Sequence, residues 1–218
     1  PEGIGTFNFT DRNGQKFTPQ FVEQLKKEFK KLETLALTPE EFKWCQKNIY
    51  FIPQCYFEWL MGFRFNSDII KISLDEEGHL HIEATDLIYK VTLYEIPILS
   101  TVSEVYYRTF QKTEPDWEYI DRQLEKKVAI SNENKLRFAN FGMRRRYSHE
   151  VEDHVTEYLT RNAKYFIGSS TVYFAMKYQS IRPDIKPIGT MAHELMMATA
   201  AFMGPKEAKY YVMRHGAE

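Results

Sequence analysis

The sequence predicts an α/β protein in two parts, an N-terminal α/β (α+β) region over residues 1–134 and a run of βα units over residues 135–218. Three observations predict it. The hydrophobic period changes character near residue 135. Before that point, amphipathic helices flank one alternating hairpin; after it, strand and helix patterns alternate regularly, which is the signature of parallel pairing with right-handed crossovers.

In order along the chain, Thr18-Pro19 opens a helix with Val22, Leu25, Phe29 and Leu32 on one face, and Lys26, Lys27, Lys30 and Lys31 elsewhere as a solvated face. Thr38-Pro39-Glu40-Glu41 opens a second, with Thr38 as cap, Glu41 completing a capping box, and Phe42 and Cys45 facing inward. Ile70, Ile72 and Leu74, then Asp75-Glu76-Glu77-Gly78, then Leu80, Ile82 and Ala84 predict an antiparallel hairpin. His79 and His81 share its outward face with Glu83, which reads as an exposed polar face rather than a metal site. Residues 87–94 read as a further strand leading into a helix with Ile98, Val102 and Tyr106, and another helix carries Trp117, Ile120, Leu124 and Val128.

From residue 136 the predicted strands are 136–141, 165–168 and 185–189, with helices beginning near Ser148, Ser170 and Met191. The apolar stripe of the first of these helices is Val151, Val155, Tyr158 and Leu159.

Composition limits the function classes. With 43% hydrophobic and 27% charged residues the chain is a folded protein, and a formal charge of −1 offers no general attraction to nucleic acid or to anionic membrane. Two cysteines, Cys45 and Cys55, make neither a disulfide scaffold nor a zinc spacing, which fits the cytoplasm. The apolar stretch from Leu195 to Met203 is far short of the ~20 residues a membrane span needs.

Successive βα junctions of a parallel unit emerge on one side, where ligands bind. Here they read Phe141-Gly142-Met143-Arg144-Arg145-Arg146, Gly168-Ser169-Ser170-Thr171 and Gly189-Thr190-Met191-Ala192-His193-Glu194. Glycine admits a ligand to the backbone, hydroxyls bind oxyanions, and guanidinium groups grip phosphate or carboxylate, so an anionic small molecule is the expected occupant. His193, in an apolar run, reads either as a hydrogen-bonded core histidine or as a neutral imidazole nucleophile oriented by a carboxylate such as Glu194.

Those motifs, together with Tyr56-Phe57-Glu58-Trp59-Leu60, Phe63-Arg64-Phe65, Leu93-Tyr94-Glu95-Ile96-Pro97-Ile98-Leu99 and Val102-Ser103-Glu104, closely resemble the nicotinate phosphoribosyltransferase family. The resemblance covers nearly the whole chain. It implies a type II phosphoribosyltransferase fold, an N-terminal domain on an irregular α/β barrel, working as a cytoplasmic homodimer with shared active sites. It also implies a reaction of NAD salvage: nicotinate and phosphoribosyl pyrophosphate give nicotinate mononucleotide and pyrophosphate, with Mg²⁺ and coupled hydrolysis of ATP. On the matching motifs, His193 is the transiently phosphorylated histidine, Phe141 stacks on the pyridine ring, Thr190 lies against it, and Arg144 contacts a phosphate, with Gly142, Ser169 and Ser170 completing the substrate site. The related nicotinamide-using enzyme has aspartate where Ser170 stands; serine lacks its repulsion of a carboxylate and favours nicotinate.

Two departures stand out. Met143 occupies a position where many members have threonine, and the resemblance implies that the segment carrying the second base-stacking aromatic, the glycine-rich phosphate loops and further barrel strands lie outside residues 1–218. The alternatives are a nicotinamide phosphoribosyltransferase, a non-catalytic fragment of such an enzyme, and an RNA-binding role for Arg144–Arg146, against which the net charge weighs.

Overall fold

The computed structural model describes residues 3–11, 14–111, 114–189 and 193–215. Its first sheet has the order β1-β3-β2, from β1 (Ile4–Asn8), β2 (Ile70–Leu74) and β3 (Leu80–Leu87), all antiparallel. The hairpin register pairs Ile72 with Ile82. Its turn closes through Asp75, whose carboxylate accepts the backbone N–H groups of Glu77 and His79 at 2.9 and 2.8 Å, and through Gly78 at φ +86°. The same carboxylate meets the His79 and His81 rings at 3.0 and 3.3 Å.

Helix α1 (Pro19–Leu32) starts where the Thr18 hydroxyl accepts the Phe21 N–H at 3.3 Å, and it buries Phe21, Val22, Leu25, Phe29 and Leu32. These side chains meet Leu80, Ile82 and Ala84 of β3, and Val91, Tyr94, Ile98, Val102 and Val105, in one core. The capping box of α2 (Pro39–Asn48) forms in both directions, at 3.2 and 2.8 Å. Cys45 of α2, Ile49, and Phe57 of α3 (Gln54–Gly62) make a smaller cluster.

The strand expected over 87–94 is instead the short helix α4 (Ile88–Val91) followed by a 3₁₀ turn over Thr92–Tyr94, running into α5 (Glu95–Tyr106). The buried residues Val91, Tyr94 and Ile98 recur at three and four, so the period is helical and β3 ends at Leu87.

Helix α6 (Trp117–Glu133), capped by Asp116, leads to the second sheet. This sheet is parallel, in the order β4-β5-β6: β4 (Phe138–Asn140), β5 (Phe166–Ser169) and β6 (Lys186–Pro187), with β4 and β6 shorter than their sequence patterns. Helices α7 (His149–Asn162) and α8 (Val172–Tyr178) are its crossovers. Leu124, Val128, Leu159, Ala163, Phe166, Ala175 and Ile185 form its core. Residues Ile188–Glu218 are a separate compact unit. Within it the helix expected from Met191 is described from His193, as α9 (His193–Met203), and turns at Gly204 (φ +87°) into α10 (Pro205–His215). No helix among the described residues is long and apolar enough to cross a membrane.

Candidate active site

The site grows from the ends of β4 and β5. Gly168 lies in the middle strand between Ala139 and Lys186, at φ +149°, where a β-carbon would strike the Lys186 backbone carbonyl. Only glycine lets the two outer strands close on it. At the strand ends the Ser170 N–H donates to the Asn140 carbonyl at 2.9 Å, joining the two loops.

Beyond β4 the chain turns through Phe141 and Gly142 into a 3₁₀ turn over Met143–Arg145. Asn140 organises that turn. Its side-chain carbonyl accepts the Gly142 N–H at 3.0 Å, and its amide nitrogen donates to Glu152 Oε1 at 2.8 Å and Thr156 Oγ1 at 3.0 Å, both on α7. Gly142 packs so closely on Glu152 that a β-carbon there would meet the carboxylate. Phe141, between these two anchored residues, is 47% exposed.

Arg144 and Arg146 are held from α5. Arg144 pairs with Glu95 at 2.6 Å, and Arg146 Nε donates to Glu104 at 2.8 Å. Glu104 also accepts the His149 N–H at the start of α7 (3.2 Å), and Ser103 donates to the Arg146 carbonyl at 2.9 Å. The Val102-Ser103-Glu104 and Phe141–Arg146 motifs are thus parts of one clamp. Arg145, with Arg144, Gln15, Ser103, Tyr106 and Tyr107, lines a cavity of about 560 Å³.

Glu152 is the electrostatic anomaly. Burial pushes its carboxyl up to about 7, against the hydrogen bond from Asn140 and the positive charge of Arg146, which pull it down. By contrast Lys177 and the Tyr178 hydroxyl, both bonded to Asp153, hold that carboxyl below the usual range despite partial burial.

The structure therefore brings Phe141, Gly142 and Ser170 together through Asn140. Ser170 is exposed, and the residue at the N-cap of α8 is Thr171. Ser169 is fully buried and its hydroxyl accepts the Thr171 N–H at 3.1 Å, so it shapes the loop from beneath. Thr190 lies outside the described residues, and His193 opens α9 in the C-terminal unit. Asn140 and Glu152 are not among the sequence candidates. The available signal is polar Glu152, Thr156 and Thr160 repeating every four residues along α7, all buried.

The models of two protein families match in order: the nicotinate phosphoribosyltransferase (NAPRTase) N-terminal domain over residues 1–103, and the NAPRTase family over residues 136–209. The nicotinate phosphoribosyltransferase of Methanosarcina mazei is 32% identical over 232 aligned positions, which take in 99% of this chain and 56% of the relative. That of Chromohalobacter salexigens is 32% identical over 99% of this chain and 54% of its own length. Among solved structures, nicotinate phosphoribosyltransferase from Porphyromonas gingivalis superimposes with a TM-score of 0.87 at 39% identity, covering 97% of this chain and 53% of that one. A putative nicotinate phosphoribosyltransferase from Saccharomyces cerevisiae superimposes with a TM-score of 0.82 at 28% identity, covering 97% and 54%. The chain spans about half the length of the curated relatives it matches. With both family regions present in order, and with a mixed helix and sheet fold shared with solved members, the chain belongs to the nicotinate phosphoribosyltransferase family.

Proposed function

We propose that this protein transfers the phosphoribosyl group of phosphoribosyl pyrophosphate to the ring nitrogen of nicotinate, a step of NAD salvage. The nitrogen lone pair forms the bond to the anomeric carbon, the bond from that carbon to oxygen breaks, and pyrophosphate leaves. The observation that carries this reading is the ordered match of both family regions, the second of which contains the turn Phe141–Arg146 that is anchored at Asn140 and clamped by α5.

The rim residues divide the work of that reaction. Phe141 presents an exposed ring face to the pyridine, a contact worth about 0.5 to 1.5 kcal/mol if it behaves as an aromatic pair. The Ser170 hydroxyl, exposed at the adjoining loop, donates to the nicotinate carboxylate. Arg144 leaves Glu95 to take a phosphate, trading one carboxylate for a more highly charged partner. As ribose gains oxocarbenium character and negative charge gathers on the leaving group, the arginines of this turn stabilise that charge. An imidazole nitrogen of His193 bonds to the γ-phosphorus of ATP as the bond to ADP breaks and ADP leaves, and later hydrolysis of the phosphohistidine to histidine and inorganic phosphate pulls the transfer towards product.

Among the described residues no three His, Cys, Asp or Glu side chains converge into a metal cage. Mg²⁺ bound to the substrate phosphates would neutralise their charge. We further assign the working form as a cytoplasmic homodimer with shared sites, as the resemblance implies.

The test is nicotinate mononucleotide formation by the full-length protein from nicotinate, phosphoribosyl pyrophosphate and Mg²⁺, with and without ATP. Product that rises with ATP is expected; no product from nicotinate or nicotinamide overturns the reading. His193→Ala should lose the ATP stimulation while its Tm stays within about 4 °C of the parent, the size of a change of about 1 kcal/mol or less in such a domain. A grossly unfolded variant would mark a core histidine instead.

A further inference from the structure

Burying a carboxylate is costly, and Glu152 sits at 6% exposure on α7 with no direct ion pair among the described residues. What it does have is the Asn140 amide. An asparagine side chain can present oxygen or nitrogen to a neighbour, and the neighbour's chemistry decides which. Glu152 keeps an acceptor oxygen for that amide whether its carboxyl is ionised or protonated. Thr156 has spent its hydroxyl hydrogen on the Glu152 carbonyl at 2.8 Å and is left with lone pairs. Both hydrogens of the Asn140 amide are thereby drawn towards α7, and its oxygen faces the Gly142 N–H. The backbone carbonyl of the same residue takes the Ser170 N–H.

We propose that Glu152 is a positioning residue for the base site: through Asn140 it sets the geometry of the Phe141–Gly142 turn and of the adjoining Ser170 loop. This rests on the reading above that Phe141 and Ser170 hold nicotinate. Glu152 touches neither substrate nor the reacting atoms; it acts through one side-chain amide on both walls. The close seat of its carboxylate against Gly142 makes the contact steric as well as polar, so the turn is fixed in distance and in orientation. Such a residue should affect binding of the base far more than binding of the phosphoribosyl donor, whose phosphate on the reading above falls to Arg144, held by Glu95 of α5.

The experiment compares the full-length enzyme with Glu152→Ala, Asn140→Asp and the double variant Asn140→Asp/Glu152→Gln, measuring kcat, KM for each substrate, and Tm. Glu152→Ala leaves one amide hydrogen without its acceptor and should raise KM for nicotinate roughly tenfold, with KM for phosphoribosyl pyrophosphate changed less than about twofold. Asn140→Asp sets two carboxylates face to face and should lose at least as much. The double variant reverses donor and acceptor: the amide introduced at position 152 donates to the carboxylate introduced at position 140, whose other oxygen still accepts the Gly142 N–H. It should recover most of the nicotinate KM.

An unchanged nicotinate KM in Glu152→Ala, a parallel rise in both KM values, or a double variant no better than Asn140→Asp would each overturn the proposal. If Glu152→Ala does not fold, the comparison of Asn140→Asp with the double variant decides the matter alone. A wild-type enzyme that makes no nicotinate mononucleotide refutes the underlying function, before any variant is compared.

Discussion

The buried carboxyl of Glu152 makes a stability prediction that needs no substrate. In the folded chain it stays protonated up to about pH 7, whereas its ordinary value is 4.5. Between these two values the folded state holds a proton that the unfolded state has released. Stability is therefore greatest below 4.5 on this account, falls as the pH rises, and has lost the whole contribution above about 7. At about 1.4 kcal/mol for each pH unit of that window, the full effect is about 3 kcal/mol, an upper bound for a group with some relief from its surroundings. Glutamine keeps the shape and the acceptor oxygen but cannot ionise.

The assay is urea unfolding of the parent and Glu152→Gln between about pH 5 and pH 8. The histidines titrate in the same range but are common to both proteins, so the difference between the two curves isolates position 152. At the acid end the two should differ by about 1 kcal/mol or less, and at the alkaline end the glutamine variant should have gained roughly 2 to 3 kcal/mol on the parent. A difference that stays constant within about 0.5 kcal/mol over that range would show that Glu152 is not held neutral by burial, and the account of the site's electrostatics would fall with it.

Gly168→Ala should cost more than about 2 kcal/mol in the same unfolding assay, because the new methyl group meets the Lys186 carbonyl at a φ that alanine resists; a loss under about 0.5 kcal/mol would refute the close approach of β5 and β6. Phe141→Ala should raise KM for nicotinate about fivefold, the size of one stacking contact, and leave Tm nearly unmoved since the ring is half exposed; an unchanged KM would remove Phe141 from the base site. Ser170→Asp should move preference from nicotinate towards nicotinamide, read as the ratio of kcat/KM for the two bases, and an unchanged ratio would place the carboxylate elsewhere.

The parts of the fold legible in the sequence are those whose signal is local. Thr18-Pro19 and Thr38-Pro39-Glu40-Glu41 carry their own caps, and both helices begin where those residues say. The β2–β3 hairpin follows from period-two alternation broken by a turn that Asp75 and Gly78 close unaided. The stretch after Leu87 reads as a strand because Ile88, Tyr89, Val91, Leu93 and Tyr94 suit either period when taken alone. Burial of Val91, Tyr94 and Ile98 in one core with α1 and β3 decides for the helix, and no local pattern reports a neighbour as distant in sequence as α1. The rim motifs are legible as loops, yet their partners are not. Nothing near Arg146 announces Glu104, 42 residues away, as its carboxylate.

The same distinction explains why the apolar pattern of α7 finds only part of its buried side. Val155, Tyr158 and Leu159 do pack into the core of the second sheet, yet the deeply buried residues also include Glu152, Thr156 and Thr160. Hydroxyls can be buried on a helix at little cost because each donates one turn back, Thr156 to the Glu152 carbonyl and Thr160 to that of Thr156, both at 2.8 Å. A carboxylate has no such local relief, and its acceptor capacity must be met from another element, here Asn140 at the end of β4. Hydrophobic period alone cannot find that pairing, since it scores a buried glutamate as solvent-facing. It follows that the turn after β4 owes its shape to α7 as much as to its own residues. Moving Phe141–Arg146 into another protein without a matched acceptor at the position of Glu152 would carry the motif and leave its geometry behind.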